Sequence, residues 1–421
     1  MNSFPRDLAN KVIERWDNLV VGHYVTPPRP TDRLFRQLLE AAYLASAVPD
    51  EGRFPRFNIV AVPDTDPQPR YLGEIWQFSE PRQFSMDEIR KLAPVVDYKK
   101  SALLARWKNE NWEIAGLTDL GTSWNRARLG LQYHYRFPAS LFIQVDRPGR
   151  MKVYQGQFLV ASLADGQIDQ LSGFTLSLVL HREVHNGLNK VWKEIVYPKI
   201  EHPKEFENFQ FIAFWNVFAA LANCINEDGH GGAIIIAPAG KAVQGKELRV
   251  KYRLHSSVLR QSFIDFMNAR HRNADLIEQI EDGQDSLRGE YAISELDLRQ
   301  KHEQLIEAIR FVAKLSACDG AIVISEDLLL LGFGTEIRSE LKSGTEVEQV
   351  LDDMKKANKA LDVETFGLRH RSAIKLVSRK PDSSVIVISQ DGAVSFVWSE
   401  KPKSVYMKRG VSLVNMNMPW A

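Results

Sequence analysis

No feature constrains this chain more than the run from Phe209 to Ile225. It is apolar around most of a helix's circumference, with Phe211, Ile212, Phe214, Trp215, Val217, Phe218 and Leu221. Such a helix offers no wholly polar face to water and must be buried on several sides. It closes in Asn226-Glu227-Asp228-Gly229-His230-Gly231-Gly232, after which Ala233 to Ala237 reads as a buried strand.

The residues after it read as a layered domain. Val258 to Met267 has the spacing of an amphipathic helix, and the polar stretch Asn273 to Glu290, with Gly283 and Gly289, reads as an inserted, mobile connection. Ser294 with Asp297 caps a helix whose buried face is Leu298, Leu305, Ile309 and Val312. Strands are expected at 321–324 and 328–331, joined by Ser325-Glu326-Asp327, with a loop at Gly332, Gly334 and Thr335. Thr345 and Glu348 suggest a capping box for a helix carrying Val347, Val350, Leu351, Met354 and Ala357 and ending near Leu361. Strands at 372–377, 384–389 and 393–398 complete an α/β domain, a mixed sheet flanked by helices, with Gln390-Asp391-Gly392 as a hairpin-like turn.

The preceding half reads as an α+β domain. Helices are expected at 7–21 and 32–46, the second behind Thr31, with strands at 57–62 and 71–78. Ser85-Met86-Asp87-Glu88 opens a short helix that Pro94 ends, and further strands are expected at 112–117, 141–145, 151–154, 158–163 and 174–180. Pro198 and Pro203 bracket a polar connection, which divides the chain into domains 1–205 and 206–421. His181 and His185 have i, i+4 spacing without the zinc-protease order His-Glu-x-x-His. Trp76, Trp107, Trp112, Trp124, Tyr133 and Tyr135 read as core, with a ligand pocket as the alternative.

Charge excludes a broad class of functions. Lys and Arg total 54 against 53 acidic residues, so the net charge of +1 gives no field to gather nucleic acid or an anionic membrane. Cys224 and Cys318 lie in apolar contexts without zinc-site spacing, which suits a reducing compartment. Met1 to Arg6 lacks the apolar core of a signal peptide, and no run is long enough to span a bilayer. A cytoplasmic protein is expected.

Two polar motifs point to chemistry. Asp319-Gly320-Ala321 places a carboxylate beside a small-residue pair ahead of Ile322-Val323-Ile324, which suits a metal or a hydroxyl needing close backbone approach. Gly367-Leu368-Arg369-His370-Arg371 flanks a histidine with two arginines, which suits an anion. Together they suggest a site for a metal-complexed polyphosphate on the rim of a sheet. The same tripeptide at Arg270-His271-Arg272, with no glycine before it, reads as surface charge.

From about residue 209 onward the chain resembles the diadenylate cyclase domain, the DisA-type nucleotide-binding fold that joins two ATP molecules into cyclic di-AMP. The resemblance rests on Asp319-Gly320-Ala321, on Gly367 with Arg369-His370-Arg371-Ser372-Ala373, on Ile386 to Ser389 running into Gly392 and Val394-Ser395, and on Gly231 to Ile236. It implies that Asp319 binds Mg²⁺ or Mn²⁺ and orients the 3′-hydroxyl, and that Arg369, His370 and Arg371 hold the phosphates. Gly320, Ala321, Gly367, Leu368 and Ser389 are the implied nucleotide contacts, and Gln390 and Asp391 the further metal ligands. Leu368 stands where the family normally has Thr, and Ser389-Gln390-Asp391 where it has Ser-Glu-Glu. The resemblance also implies ATP as substrate and self-association with facing sites, since one copy holds one ATP. The preceding domain is then a sensor for an unknown small molecule or protein. The alternative is a degenerate domain that binds a nucleotide or cyclic dinucleotide and signals without turnover.

Overall fold

The computed structural model describes residues 3–17, 28–50, 52–65, 73–121, 124, 126, 129, 131, 140–156, 158–164, 166–169, 182–195, 203–240, 245–350, 358–390, 392–401, 403–409 and 411. The chain divides into two compact units, residues 1–171 with 417–421, and residues 172–416. Both are α/β, each built on a mixed sheet. Among the described residues no helix is long and apolar enough to cross a membrane.

The first unit holds α1 (Pro5–Trp16), α2 (Asp32–Ala47), β1 (Phe57–Pro63), β2 (Glu74–Gln83), α3 (Met86–Leu92), β3 (Ser101–Lys108), β4 (Asn111–Asp119), β5 (Leu141–Arg147), β6 (Arg150–Gln155), β7 (Phe158–Ala164) and β8 (Gln167–Asp169). The strands lie in the order β2-β4-β3-β1-β5-β6-β7-β8, with β1 and β3 parallel. Leu8, Val12 and Trp16 of α1 and Phe35, Leu38 and Ala42 of α2 pack on Ile59, Leu103 and Ile143 of the sheet. Each large side chain so buried contributes roughly 1.5–3 kcal/mol. Ser85 caps α3 as its sequence implies, its hydroxyl accepting the Glu88 N–H at 3.2 Å. Thr31 precedes α2 without capping it and donates instead to Glu110 Oε2 at 3.1 Å. The core reading suits Trp112, which meets Trp107 at 5.4 Å and donates to the Leu34 carbonyl, and Trp124, which lies 4.0 Å from Phe142. Trp76 is on the surface instead. The strand expected at 174–180, His181, Tyr133 and Tyr135 lie outside the described residues.

The second unit holds α4 (Arg182–Trp192), α5 (Pro203–Glu227), β9 (Gly232–Ala237), β10 (Leu248–Ser256), α6 (Val258–Glu281), α7 (Arg288–Lys314), β11 (Ala321–Ser325), β12 (Leu330–Ile337), β13 (Glu346–Val350), β14 (Asn358–Ala360), α8 (Leu368–Arg379), β15 (Ser384–Ile388), β16 (Val394–Lys401) and β17 (Ser404–Arg409). Its nine strands run β10-β12-β11-β9-β15-β16-β17-β13-β14. β9 is parallel to β11, and β13 to β17. α8 lays Ile374 and Val377 on one face, against Ile235, Val323, Val385 and Val387. α5 is buried on several sides as its composition requires: Trp215 meets Phe396 of β16 edge-on at 5.8 Å, and Phe214 meets Phe263 of α6 at 5.5 Å.

Four expectations are corrected. Residues 273–290 are no loose insertion: α6 continues to Glu281 and α7 starts at Arg288, so the connection is a tight turn at 282–287. The polar residues there are the solvent face of a helical hairpin whose inner face includes Asn273 and Leu276. Residues 346–350 are strand rather than helix, because Val347 and Val350 bury against the sheet edge while Thr345 donates its hydroxyl to the Lys342 carbonyl instead of capping. Residues 372–377 belong to helix α8, since Ala373, Ile374, Leu376 and Val377 form one helical stripe. Gly332 to Thr335 is strand, and Leu328 sits in the turn before it with φ +68°. β3 and β10 carried no expectation; β10 is an edge strand with exposed Arg249, Lys251, Arg253 and His255 at alternate positions.

Candidate functional site

The motif residues meet at one end of the second sheet. β9 pairs with β11 through Ile234–Ile322 and with β15 through Gly232–Ile388. Continuing both registers outward places Asp319 and Ser389 on the two chain segments that flank Gly231 at the start of β9. Asp319 and Gln390 are exposed, and Ser389 is half-buried.

Two glycines make that meeting possible. Gly320 has φ +120°, and a Cβ there would lie 2.5 Å from the Gly334 carbonyl carbon and 2.6 Å from the Thr335 nitrogen. Gly231 has φ +63°, and a Cβ there would lie 2.8 Å from the Ile388 oxygen and 2.9 Å from both Arg369 Nη1 and the Gln390 nitrogen. Both positions therefore exclude a side chain sterically as well as conformationally.

α8 brings the basic triplet to this rim. Gly367 is its N-cap, and no side chain caps the first turn, so the leading N–H groups and the positive end of the helix dipole remain available to an anion. Arg369 donates from Nη2 to the His230 carbonyl at 3.3 Å, which anchors the guanidinium beside Gly231. His370 turns towards the sheet, its Nε2 hydrogen-bonded to Ser395 Oγ at 3.0 Å. Arg371 pairs with Glu364 at 2.9 Å.

The geometry thus gathers Asp319, Gly320, Ser389, Gln390, Arg369 and the start of α8, while Arg371 is held by a different partner. Ala321 is buried within β11, opposite Thr335. Gly367 has open space where a Cβ would sit, so nothing in the protein itself demands glycine there. Leu368 is 72% exposed. Asp391 lies outside the described residues. The supporting residues His230, Ser395 and Glu364 carried no expected contact role; Ser395, within the Val394-Ser395 motif, and His230, ahead of the Gly231-Gly232 doublet, lay beside visible signals, whereas Glu364 did not.

A divalent cation fits this donor set in one way. Among the described residues no group of three or more His, Cys, Asp or Glu side chains could hold a metal. Mg²⁺ ordinarily takes one or two carboxylates and completes its shell with water and substrate phosphates. Asp319 would supply one such carboxylate, whereas the neutral amide of Gln390 adds little for a hard cation.

The second Arg-His-Arg sequence differs. Arg272 is indeed on the surface, paired with Glu290 at 3.0 Å, but His271 is only 5% exposed and meets Trp192 edge-on at 5.6 Å. Burial, and then the charge of Arg270, lowers its pKa to about 4, so it is neutral at physiological pH.

No curated protein and no solved structure is matched by the chain. Residues 25–119, within the first unit, match a family model described as "Probable sensor domain DACNV", a sensor domain associated with diadenylate cyclases.

Proposed function

We propose that the second unit condenses two ATP molecules into cyclic di-AMP with release of two pyrophosphates, in the cytoplasm, under control of the first unit. The observation that carries this reading is the convergence of Asp319–Gly320, Gly231 and Arg369 at one sheet end beside the uncapped start of α8. The sensor-domain match at 25–119 supports the regulatory half of the proposal.

In each half-reaction a 3′-hydroxyl oxygen attacks an α-phosphorus in line, a P–O bond forms as the α–β phosphoanhydride bond breaks, pyrophosphate leaves, and the hydroxyl proton is released to solvent. Such transfer depends on positioning and on preorganised charge. Asp319 would hold Mg²⁺ or Mn²⁺ and orients the attacking hydroxyl. Arg369 and the N–H groups of α8 neutralise phosphate oxygens, with Arg371 as a second cation once it is drawn from Glu364. His370, fixed by Ser395, sets the orientation of the first helical turn. The metal, when bound, supplies further charge neutralisation at the pyrophosphate. Because each site takes one ATP, two copies of the chain must face each other to close both bonds.

A second reading, nucleotide or cyclic-dinucleotide binding without turnover, is favoured by the exposed aliphatic Leu368 at the first residue of α8 and by neutral Gln390 at the rim. Labelled ATP with Mn²⁺ or Mg²⁺ separates the two: the first predicts a cyclic dinucleotide that Asp319→Asn abolishes, the second ATP binding with no product.

A further inference from the structure

An aromatic pair stands near the candidate site without any role in it. Tyr252 of β10 and Phe333 of β12 are directly opposed across the two strands, and their rings stack with centroids 4.8 Å apart and 21° between planes. Val250, two positions back along β10, belongs to the core cluster under α8, so Tyr252 and the directly opposed Phe333 lie on the face of the sheet that α8 covers. Tyr252 is nevertheless 50% exposed.

Two glycines link this pair to Asp319. Gly334 has φ +61°, and a Cβ there would lie 3.1 Å from a Tyr252 ring carbon; Gly320, in turn, packs on Gly334. No side chain from these two glycines interrupts the path from Asp319 to the Tyr252 ring. The strand order β10-β12-β11-β9 sets Tyr252 three strand spacings, about 14 Å measured across the sheet, from β9, and Phe333 two, with His230, whose carbonyl anchors Arg369, just ahead of β9. That separation is comparable with the reach of an extended nucleoside triphosphate.

A cross-strand aromatic pair can simply stabilise an edge strand. That role accounts for the stacking, but not for a glycine-lined path running from the pair to the motif carboxylate. We infer that the exposed ring of Tyr252, backed by Phe333, is the platform on which the nucleotide's base stacks while its phosphates reach Arg369 and α8. This rests on the reading of the second unit as an ATP-binding domain, and it assigns base recognition to β10 and β12.

The test is calorimetric titration of the full chain, and of its Tyr252→Ala and Tyr252→Phe variants, with magnesium-ATP and separately with magnesium tripolyphosphate, which has no base. Stacking predicts that Tyr252→Ala weakens ATP binding by about tenfold or more. It also predicts unchanged tripolyphosphate binding and near-normal ATP affinity in Tyr252→Phe. ATP affinity indifferent to Tyr252→Ala, or equal losses for both ligands, overturns the platform alone. Failure of the unaltered chain to bind ATP overturns the nucleotide reading with it.

Discussion

Gly320 carries more structural constraint than the acidic residue beside it. Its φ of +120° and the 2.5 Å approach of the Gly334 carbonyl carbon leave no room for a methyl group. Gly320→Ala should therefore lose about 2–4 kcal/mol of stability, combining backbone strain with overpacking. A urea midpoint equal to that of the unaltered chain would show that the strand start is not held this tightly. Asp319, by contrast, is exposed, so Asp319→Asn should leave the midpoint unchanged while removing any metal-dependent activity. His271 gives a pH-dependent case. Its folded pKa, near 4, lies below the unfolded value of about 6.5, so the unfolded chain binds more protons between those values. Its contribution is intact above pH 6.5 and falls as the pH drops towards 4, by as much as ~3 kcal/mol. His271→Gln should flatten the stability profile in that window; a parallel acid slope in the variant assigns the loss to other groups.

At the scale of elements, the sequence was legible where apolar period and burial agree. α2, α5, β1 and the hairpin from β15 to β16 follow their patterns closely. It was illegible where a short window satisfies two periods. Ser372 to Val377 is a short, largely apolar run that can be taken for a buried strand, yet Ala373, Ile374, Leu376 and Val377 together fit a helix against the sheet, and the N-cap at Gly367 starts it early. That error matters for the candidate site, because the Arg-His-Arg triplet lies in a helix's first turn and gains the dipole that a strand edge lacks. The site's composition was visible in the motifs. The His230 carbonyl that anchors Arg369 was not, since a backbone acceptor 139 residues away leaves no mark on residue type. A different element makes a direct prediction. α4 reaches the turn between β11 and β12, where Lys190 pairs with the buried carboxylate of Glu326 and Gly187 packs so closely that a Cβ would fall 1.8 Å from the Glu326 backbone carbonyl oxygen. Gly187→Ala should push α4 off that turn and raise amide exchange in α4 selectively. Protection unchanged along the helix would place its stability elsewhere.

For the whole molecule, the two units have separate sheets and separate cores, so each should unfold as its own cooperative transition. Two calorimetric transitions are expected, with ATP raising only the one that belongs to residues 172–416; a single transition, or a shift of the other one, argues against that division of labour. Condensation also requires two copies. Specific activity should climb with protein concentration until the facing pair is saturated, whereas a flat profile across the dissociation range points to a single-copy reaction.

The most direct measurement follows the fate of labelled ATP incubated with the full chain and Mn²⁺ or Mg²⁺, beside Asp319→Asn. The account predicts cyclic di-AMP and pyrophosphate in the first reaction and none in the second. ATP bound but recovered unchanged by an oligomeric protein would contradict it.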